Sequence, residues 1–520
     1  MGEKIILVYF AIAFLIVGIG LGAAVPLKNT TFNGTMQIPT NPLAPSPPIS
    51  CFAICAMSGK TCCNGACVNT QKDPKNCGKC GNDCGLLNWC INGKCVKPNI
   101  YTAKWKRCLG GSSDDEAFSI QPTSDGGYIM AGDTYSDDGD VSGHHLGYDA
   151  WVVKLDSCGN KQWQRSLGGS NEDVAEFVQQ TSDGGYIMAG HVWSTDGDVV
   201  GNHGECDAWV VKLDPHGNIQ WQKCLGGSDY DASDSIQQTS DGGFIVAGQT
   251  LSNDGVATGN HGEYDAWIVK LDPDGNIQWQ KCLGGSRSDI ARFIRQTVDG
   301  GYIMAGITGS DDGDVIGQHG HFGALDAWVV KLNSIGEIQW QRCLGGDNDD
   351  YALGIQQTSD GGYIMAGSTG SNDGDVAGHH GGLDIGAFDG WVVKLSPIGE
   401  IQWQRCLGGS NDDYAGSIQQ TSDGGYVMAG MTNSYDGDVS GMGNRGAGDA
   451  WIVRLRSNGN ILWQRTLGGS DNDYAMSVLE RRDGGFIFAG STKSKDGDVS
   501  GNHGDLDDAW VVTLDSNGNN

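Results

Sequence analysis

Basic residues are scarce in this chain. Its 520 residues carry 33 Lys+Arg against 63 Asp+Glu, a formal charge of −30. A surface that acidic repels phosphate backbones and anionic membranes while attracting cations, so nucleic acid is excluded as an expected partner. Proline is scarce too, at 12 residues, and Pro39, Pro42, Pro45, Pro47 and Pro48 crowd into one stretch. Beyond Leu27 no apolar run is long enough to span a bilayer, which confines any membrane contact to the N-terminus. A helical period is also missing. The apolar residues of the remainder come in short runs punctuated by Gly, Asp and Asn, which is strand chemistry.

What is present falls into four parts. Residues 1–25 hold a short charged start, an uncharged run from Ile5 onward and small residues Gly22, Ala23 and Ala24. This describes a secretory signal cleaved after Ala24, or an uncleaved anchor, and either exports the rest of the chain to the cell surface or beyond. Residues 26–50 form a Pro/Thr/Asn-rich tether carrying two glycosylation sequons at Asn29 and Asn33.

Residues 51–99 contain ten of the 17 cysteines, at positions 51, 55, 62, 63, 67, 77, 80, 84, 90 and 95. After an export signal, so dense a set reads as disulfides stapling a module too small for its own core; zinc at Cys77, Cys80 and Cys84 is the alternative. The runs from Cys62 to Cys67, Asp73 to Cys84 and Cys90 to Cys95 resemble the stigma-specific cysteine-rich family. The resemblance covers residues 51–95 and implies an extracellular interaction module without naming a ligand.

From residue 100 to 520 one pattern recurs seven times: W-Q-x-C-L-G-G-S-x-x-D-x-A, an apolar segment, T-S-D-G-G-Y-I-M-A-G, a loop of type S-x-D-G-D-V-x-G-x-H-G, then D-A-W-V-V-K-L-D. Internal repetition outranks every other signal. Each unit holds four strand-like segments, in the second unit 177–180 (A), 185–190 (B), 208–213 (C) and 219–225 (D), which is one propeller blade. The stretch opens with a D segment around Trp105 and ends after a C segment around Trp510, so the first strand completes the last blade and no sheet edge is left open. The fold class is therefore all-β, a seven-bladed β-propeller of four-stranded blades preceded by a small disulfide-rich module, with a β-solenoid as the rival. The blades are similar to those of prokaryotic cell-surface repeat proteins that read like "SDGGYIMAG", a group with no assigned activity.

Strand alternation puts the tight A–B and C–D turns on one face and the long B–C and D–A loops on the other, together with nearly all the histidines. Two aspartates recur in every unit, one in the D–A loop (115, 173, 231, 289, 350, 413, 473) and one before the D-A-W tryptophan (149, 207, 265, 326, 389, 449, 508). Both read as loop clamps, because a carboxylate can lock a loop by accepting backbone N–H groups. The B–C pairs Asp138/Asp140, Asp196/Asp198, Asp312/Asp314, Asp373/Asp375, Asp436/Asp438 and Asp496/Asp498 are calcium candidates, since alternating carboxylates around a glycine present hard oxygens to one side of a turn. Asx-turns are the alternative. Blade three has Val256 in the second position. Cys108, Cys224, Cys282, Cys343 and Cys406 share a strand-D slot that Ser166 and Thr466 also fill, and read as buried free thiols.

Catalysis needs unlike groups converging on one point, whereas repetition spreads chemistry around a ring. The expected function is thus a binding or scaffold protein using one face for a protein or glycan at the cell surface; cleavage of carbohydrate or a metal-dependent oxidation is the alternative. Departures from the repeat mark where a partner docks. Blades four to six lengthen the B–C loop and add Phe322, Leu325, Leu383, Ile385 and Phe388, and blade two carries His191 and Trp193.

Overall fold

The computed structural model describes residues 104–520 except 321–322, 382–386 and 444, together with residue 79 and the backbone of four short strands before them. The segments 1–25 and 26–50, and the cysteine pairing expected within 51–99, lie outside the described residues. The chain divides into two compact units, 1–96 and 97–520. The first contains two antiparallel hairpins, Thr61–Cys63 with Ala66–Val68 and Trp89–Ile91 with Lys94–Val96.

The second unit is a ring of seven four-stranded antiparallel sheets. In blade two, strands A to D are Asp173–Gln180, Tyr186–Val192, Asp207–Leu213 and Ile219–Leu225, paired in that order. Strands B and C are buried along their whole length, which is why they read as continuous apolar runs and not as an in/out alternation. Strand D is half-exposed over its first five residues, as the outermost strand should be.

Strand A begins four residues earlier than its apolar segment suggests. A β-bulge between Ala175 and Phe177 interrupts the two-residue period, so the D–A aspartate is the first residue of the strand. Blade seven keeps only Ser477–Glu480 as a regular A strand and pairs Asp473 with Thr492 through an isolated bridge.

The ring closes as its chain ends demand. Lys106–Leu109 is the fourth strand of the sheet built from Ser477–Glu480, Phe486–Thr492 and Asp508–Leu514. Trp105 exchanges hydrogen bonds with Thr513, its N–H donating to Oγ1 at 2.7 Å and its carbonyl accepting the Thr513 N–H at 3.0 Å. Asp115 N–H donates to Asp507 O at 2.7 Å and seals the seam between blades seven and one.

Packing is between blades. Ile129 and Ala131 of blade one share a cluster with Val178, Met188 and Trp209 of blade two. The C-strand tryptophan is buried in every blade, and in blades one to six it donates its indole N–H to a D-strand glutamine, as Trp209 does to Gln222 at 2.9 Å; blade seven has Lys106 at that position. The D-strand tryptophan lies over the next blade's C–D turn. There Gly217 has φ +80°, and a Cβ would stand 2.8 Å from Trp163, so the turn accepts only glycine. Strands A surround the axis, where Phe177 of blade two meets Phe293 of blade four at 6.0 Å and the Arg295 guanidinium stacks on both rings.

Candidate functional site

The long-loop face is fixed by three sets of carboxylates. The D–A aspartate is fully buried in every blade. In blade one, Asp115 Oδ2 accepts the Gly111 N–H and the Ser136 hydroxyl, both at 2.7 Å, and Oδ1 accepts the Thr134 hydroxyl. Its backbone N–H reaches across the seam to the residue preceding the D-A-W aspartate of the blade before it. The same bond runs from Asp350 to Leu325 and from Asp413 to Phe388, at 2.6 Å each. Burial pushes Asp173, Asp350 and Asp413 up to about 6 against the hydrogen bonds they accept.

The pre-tryptophan aspartate pairs with a histidine of its own B–C loop, a partnership that sequence reasoning missed. Asp149, Asp207, Asp265, Asp326, Asp389 and Asp508 each hold the Nδ1 of His145, His203, His261, His319, His380 or His503 at 2.6–3.0 Å. The changing loop lengths hide this pairing, because the spacing from His to Asp varies from four to nine residues. In blade six Arg445 stands in the histidine's place, and its Nη1 lies 2.9 Å from Asp498 of blade seven.

The calcium candidates separate into two roles. The first aspartate of each pair caps the D–A loop: Asp138, Asp196, Asp312, Asp436 and Asp496 accept the N–H of Ser112, Ser170, Ser286, Ser410 and Ser470 at 2.7–2.8 Å, and Asp373 that of Asp347 at 2.9 Å. The second aspartate turns to the blade seam. Asp140 pairs with Lys161 at 2.8 Å, Asp375 and Asp438 approach His319 and His380 of the preceding blades at 3.7 and 3.8 Å, and the N–H groups of Asp198 and Asp314 donate to Gly168 and Gly284. Among the described residues no three His, Cys, Asp or Glu side chains gather in a way that could hold a metal ion.

Of the partner candidates, Phe322, Leu383 and Ile385 lie outside the described residues. Phe388 is inserted between Tyr351 and Tyr414, with ring centroids at 5.5 and 5.9 Å. Leu325 occupies the same seam position one blade earlier, its N–H donating to Asp349 at 2.9 Å. Phe388 thus has packing partners within the ring, and Leu325 is tied to it through its backbone. His191 and Trp193 belong to the axial end of the face. His191 is buried with Nδ1 3.9 Å from Glu176 Oε1, and Trp193, 36% exposed, leans on Tyr230 at 5.7 Å.

That axial end also gathers acids that sequence reasoning passed over. Glu116 and Asp133 face each other on strands A and B of blade one, both buried. Glu176 and Asp234 stand at the bulge position of blades two and three, where Arg292 of blade four pairs with Asp234 at 3.1 Å. Their signal in the sequence is that they break the repeat, Glu116, Glu176 and Asp234 on strand A and Asp133 on strand B. Cys108, Cys224, Cys282, Cys343 and Cys406 are buried and free, Cys206 is buried and free, and Cys158 is free and exposed. Burial pushes the Cys108, Cys224 and Cys282 thiols up to about 12.

Residues 48–111 match the Stigma-specific STIG1-like protein family. The chain is 25% identical over 380 residues to the Regulatory protein FlaEY of Caulobacter vibrioides, covering 66% of this chain and 39% of that protein. It therefore spans well under half the length of this curated relative. Among solved structures, it is similar to the Pan2 WD40 domain of Neurospora crassa (10% identity, TM-score 0.42, 79% of this chain and 96% of that one). It is also similar to a protein of unknown function from Bacteroides caccae (12% identity, TM-score 0.35, 61% and 89%). A puromycin hydrolase gives 11% identity and a TM-score of 0.43 over 78% of this chain and 53% of that one. Among the described residues no helix is long and apolar enough to cross a membrane.

Proposed function

We propose that this chain is an extracellular or cell-surface binding protein whose propeller offers its B–C/D–A face to a protein or glycan. The observation that carries the reading is the construction of that face. Every blade pins its long loops with the same buried aspartate, so the loops form a rigid platform. Departures from the repeat on this platform include the facing acids Glu116 and Asp133, and Tyr230, which feels Glu176 and Asp234 and packs against Trp193. Rigid loops carrying a few unlike side chains are what specific recognition requires. The N-terminal segment, read as a signal or an anchor, and the cysteine-rich segment support export, and the resemblance to cell-surface repeat propellers supports the location. Calcium at the B–C aspartates remains part of this proposal as an accessory to loop rigidity.

The test uses the full chain released from cells. Glycan and peptide arrays should capture it, while hydrolysis and oxidation panels run in parallel should stay silent. Turnover of a carbohydrate without stable capture would favour the enzyme alternative.

A further inference from the structure

We infer that the axial end of the B–C/D–A face, between blades one and two, binds an ammonium or guanidinium group. This rests on the binding reading above and names the chemistry that one part of the face recognises.

The second residue of strand A and the sixth of strand B oppose each other in the ladder, and the pair differs from blade to blade. It is Glu116 with Asp133 in blade one, Val174 with His191 in blade two, Ile290 with Ile307 in blade four and Tyr351 with Ser368 in blade five. Blade one alone places two carboxyls there. They are 6% and 7% exposed, and Glu116 Oε2 and Asp133 Oδ1 have no hydrogen-bond partner. Two unpartnered carboxyl oxygens buried on facing positions are costly unless something enters to satisfy them.

A cation would relieve this corner. Burial, and with it the half-buried Asp114, Glu172, Glu176 and Asp507 around the pair, raises Glu116 and Asp133 well above the ordinary carboxylate range, a cost that an entering positive group offsets as it displaces their protons. Lys493 and Arg292 touch the cluster only at its margins, acting on Asp507 and on Glu176 and Asp234. Arg292 also shows which ion this ring accepts. One blade on, it lays a guanidinium nitrogen 3.1 Å from Asp234, so the chain supplies its own cation there and supplies none to Glu116 and Asp133. Burial holds His191 at about 4, so it is neutral at pH 7 and adds no competing charge.

An organic cation fits better than a metal ion. Among the described residues no three ligating side chains converge to hold a metal, whereas an ammonium needs two or three acceptors and gains from aromatic faces. Tyr148, whose hydroxyl donates to Asp114 at 3.3 Å and whose ring lies 4.9 Å from that of Tyr135, provides such a face near the pair. The cation comes either from a free amine or from a lysine or arginine side chain on a protein partner.

Agmatine, putrescine and short Gly-Arg-Gly and Gly-Glu-Gly peptides should be titrated into the full chain, with sodium chloride matched for ionic strength. Agmatine should raise the melting temperature where salt does not, and Glu116→Gln with Asp133→Asn should weaken its binding by about tenfold or more. Equal or tighter binding of the Arg peptide assigns the source to a protein side chain; binding of the free amines alone assigns it to a small molecule. No binding by the wild-type chain overturns the inference, as does equal binding by chain and variant. Displacement of agmatine by micromolar calcium chloride overturns it too. Should the isosteric variant fold poorly, Glu116→Tyr with Asp133→Ser installs the residues found in blade five and serves the same comparison. Array capture that survives in either variant, with no amine bound by the wild type, removes this inference and leaves the platform standing.

Discussion

At the scale of single residues, the aspartates divide into two populations that titrate in opposite directions. Those at the blade seams, Asp173, Asp350, Asp413 and Asp508, are pushed up to about 6, chiefly by burial. The folded ring therefore holds protons that the unfolded chain has already released, and their contribution is fully present below about pH 4 and lost as pH rises through 6. Asp183 and Asp299 of the A–B turns behave the other way. Burial alone would raise them, but the hydrogen bonds from Thr181 and Lys212, and from Thr297 and Lys331, outweigh it and hold them at about 2. Their stabilisation is lost as pH falls from about 4 towards 2. Thermal melts taken from pH 3 to pH 8 should show stability rising as the solution is acidified from neutrality, a maximum near pH 4 to 5, and a fall below it. A monotonic rise from pH 4 to pH 8 would refute the seam assignment. The recurrence of both aspartates was plain in the sequence, and so was their clamping role. Their different protonation was not, because it depends on how deeply the seam is buried.

Whole elements were legible to the extent that their chemistry alternated or repeated. Strand D, Ile219–Leu225, has the bounds its side chains suggest, whereas strand A hides its first half behind the bulge after Ala175. The extended B–C loops were visible as insertions, but the partners of their apolar residues were not, since Tyr351 and Tyr414 belong to strands distant in the chain. This gives a pair of contrasting outcomes. Shortening the blade-five loop between His380 and Ala387 to the length in blade two should leave the melting temperature within a few degrees, because loop length costs little. Phe388→Ala should lower stability by about 2 kcal/mol in urea denaturation, because the ring is wedged in a seam. Equal effects of the two changes would mean that Phe388 belongs to the loop and not to the ring. The same loops carry the calcium proposal, and blade three is its internal control. Asp254 caps Ser228 there as its counterparts do, but Val256 supplies no second carboxylate. Calorimetry with calcium chloride should find at most six sites. Seven equivalent sites would exclude the second aspartate as a ligand, and neither heat nor thermal stabilisation would leave the pairs as loop clamps alone.

For the molecule as a whole, the decisive feature is closure, because a ring of repeats without it is a solenoid with two open edges. The sequence announced closure through its offset ends, and the structure shows its atoms: Lys106–Leu109 pairs with Asp508–Leu514, Trp105 clasps Thr513, and Asp115 N–H finds Asp507. What the repeat could not show is that blade seven keeps a shorter regular strand A than the other six, Ser477–Glu480, while the N–H groups of Tyr474 and Met476 before it still donate to Ser491 and Ala489 of strand B. Removing residues 101–109 should strip the outer strand from blade seven, expose the backbone of Asp508–Leu514 as an edge, and untether the D–A loop ahead of Asp115 at its first end. The loss extends beyond one hydrogen-bonded strand, since Trp105 also packs against Tyr128 of blade one at 6.2 Å. The truncated chain should lose several kcal/mol of stability, on the order of 3–5, and its urea transition should broaden as blade seven frays ahead of the remainder. Hydrogen exchange gives the sharper reading. Protection should collapse first in Phe486–Thr492 and Asp508–Leu514, while blades three and four, opposite the cut, keep theirs. Uniform loss around the ring would mean that the propeller unfolds as one cooperative unit. An unchanged melting temperature would mean that the first strand does not close it.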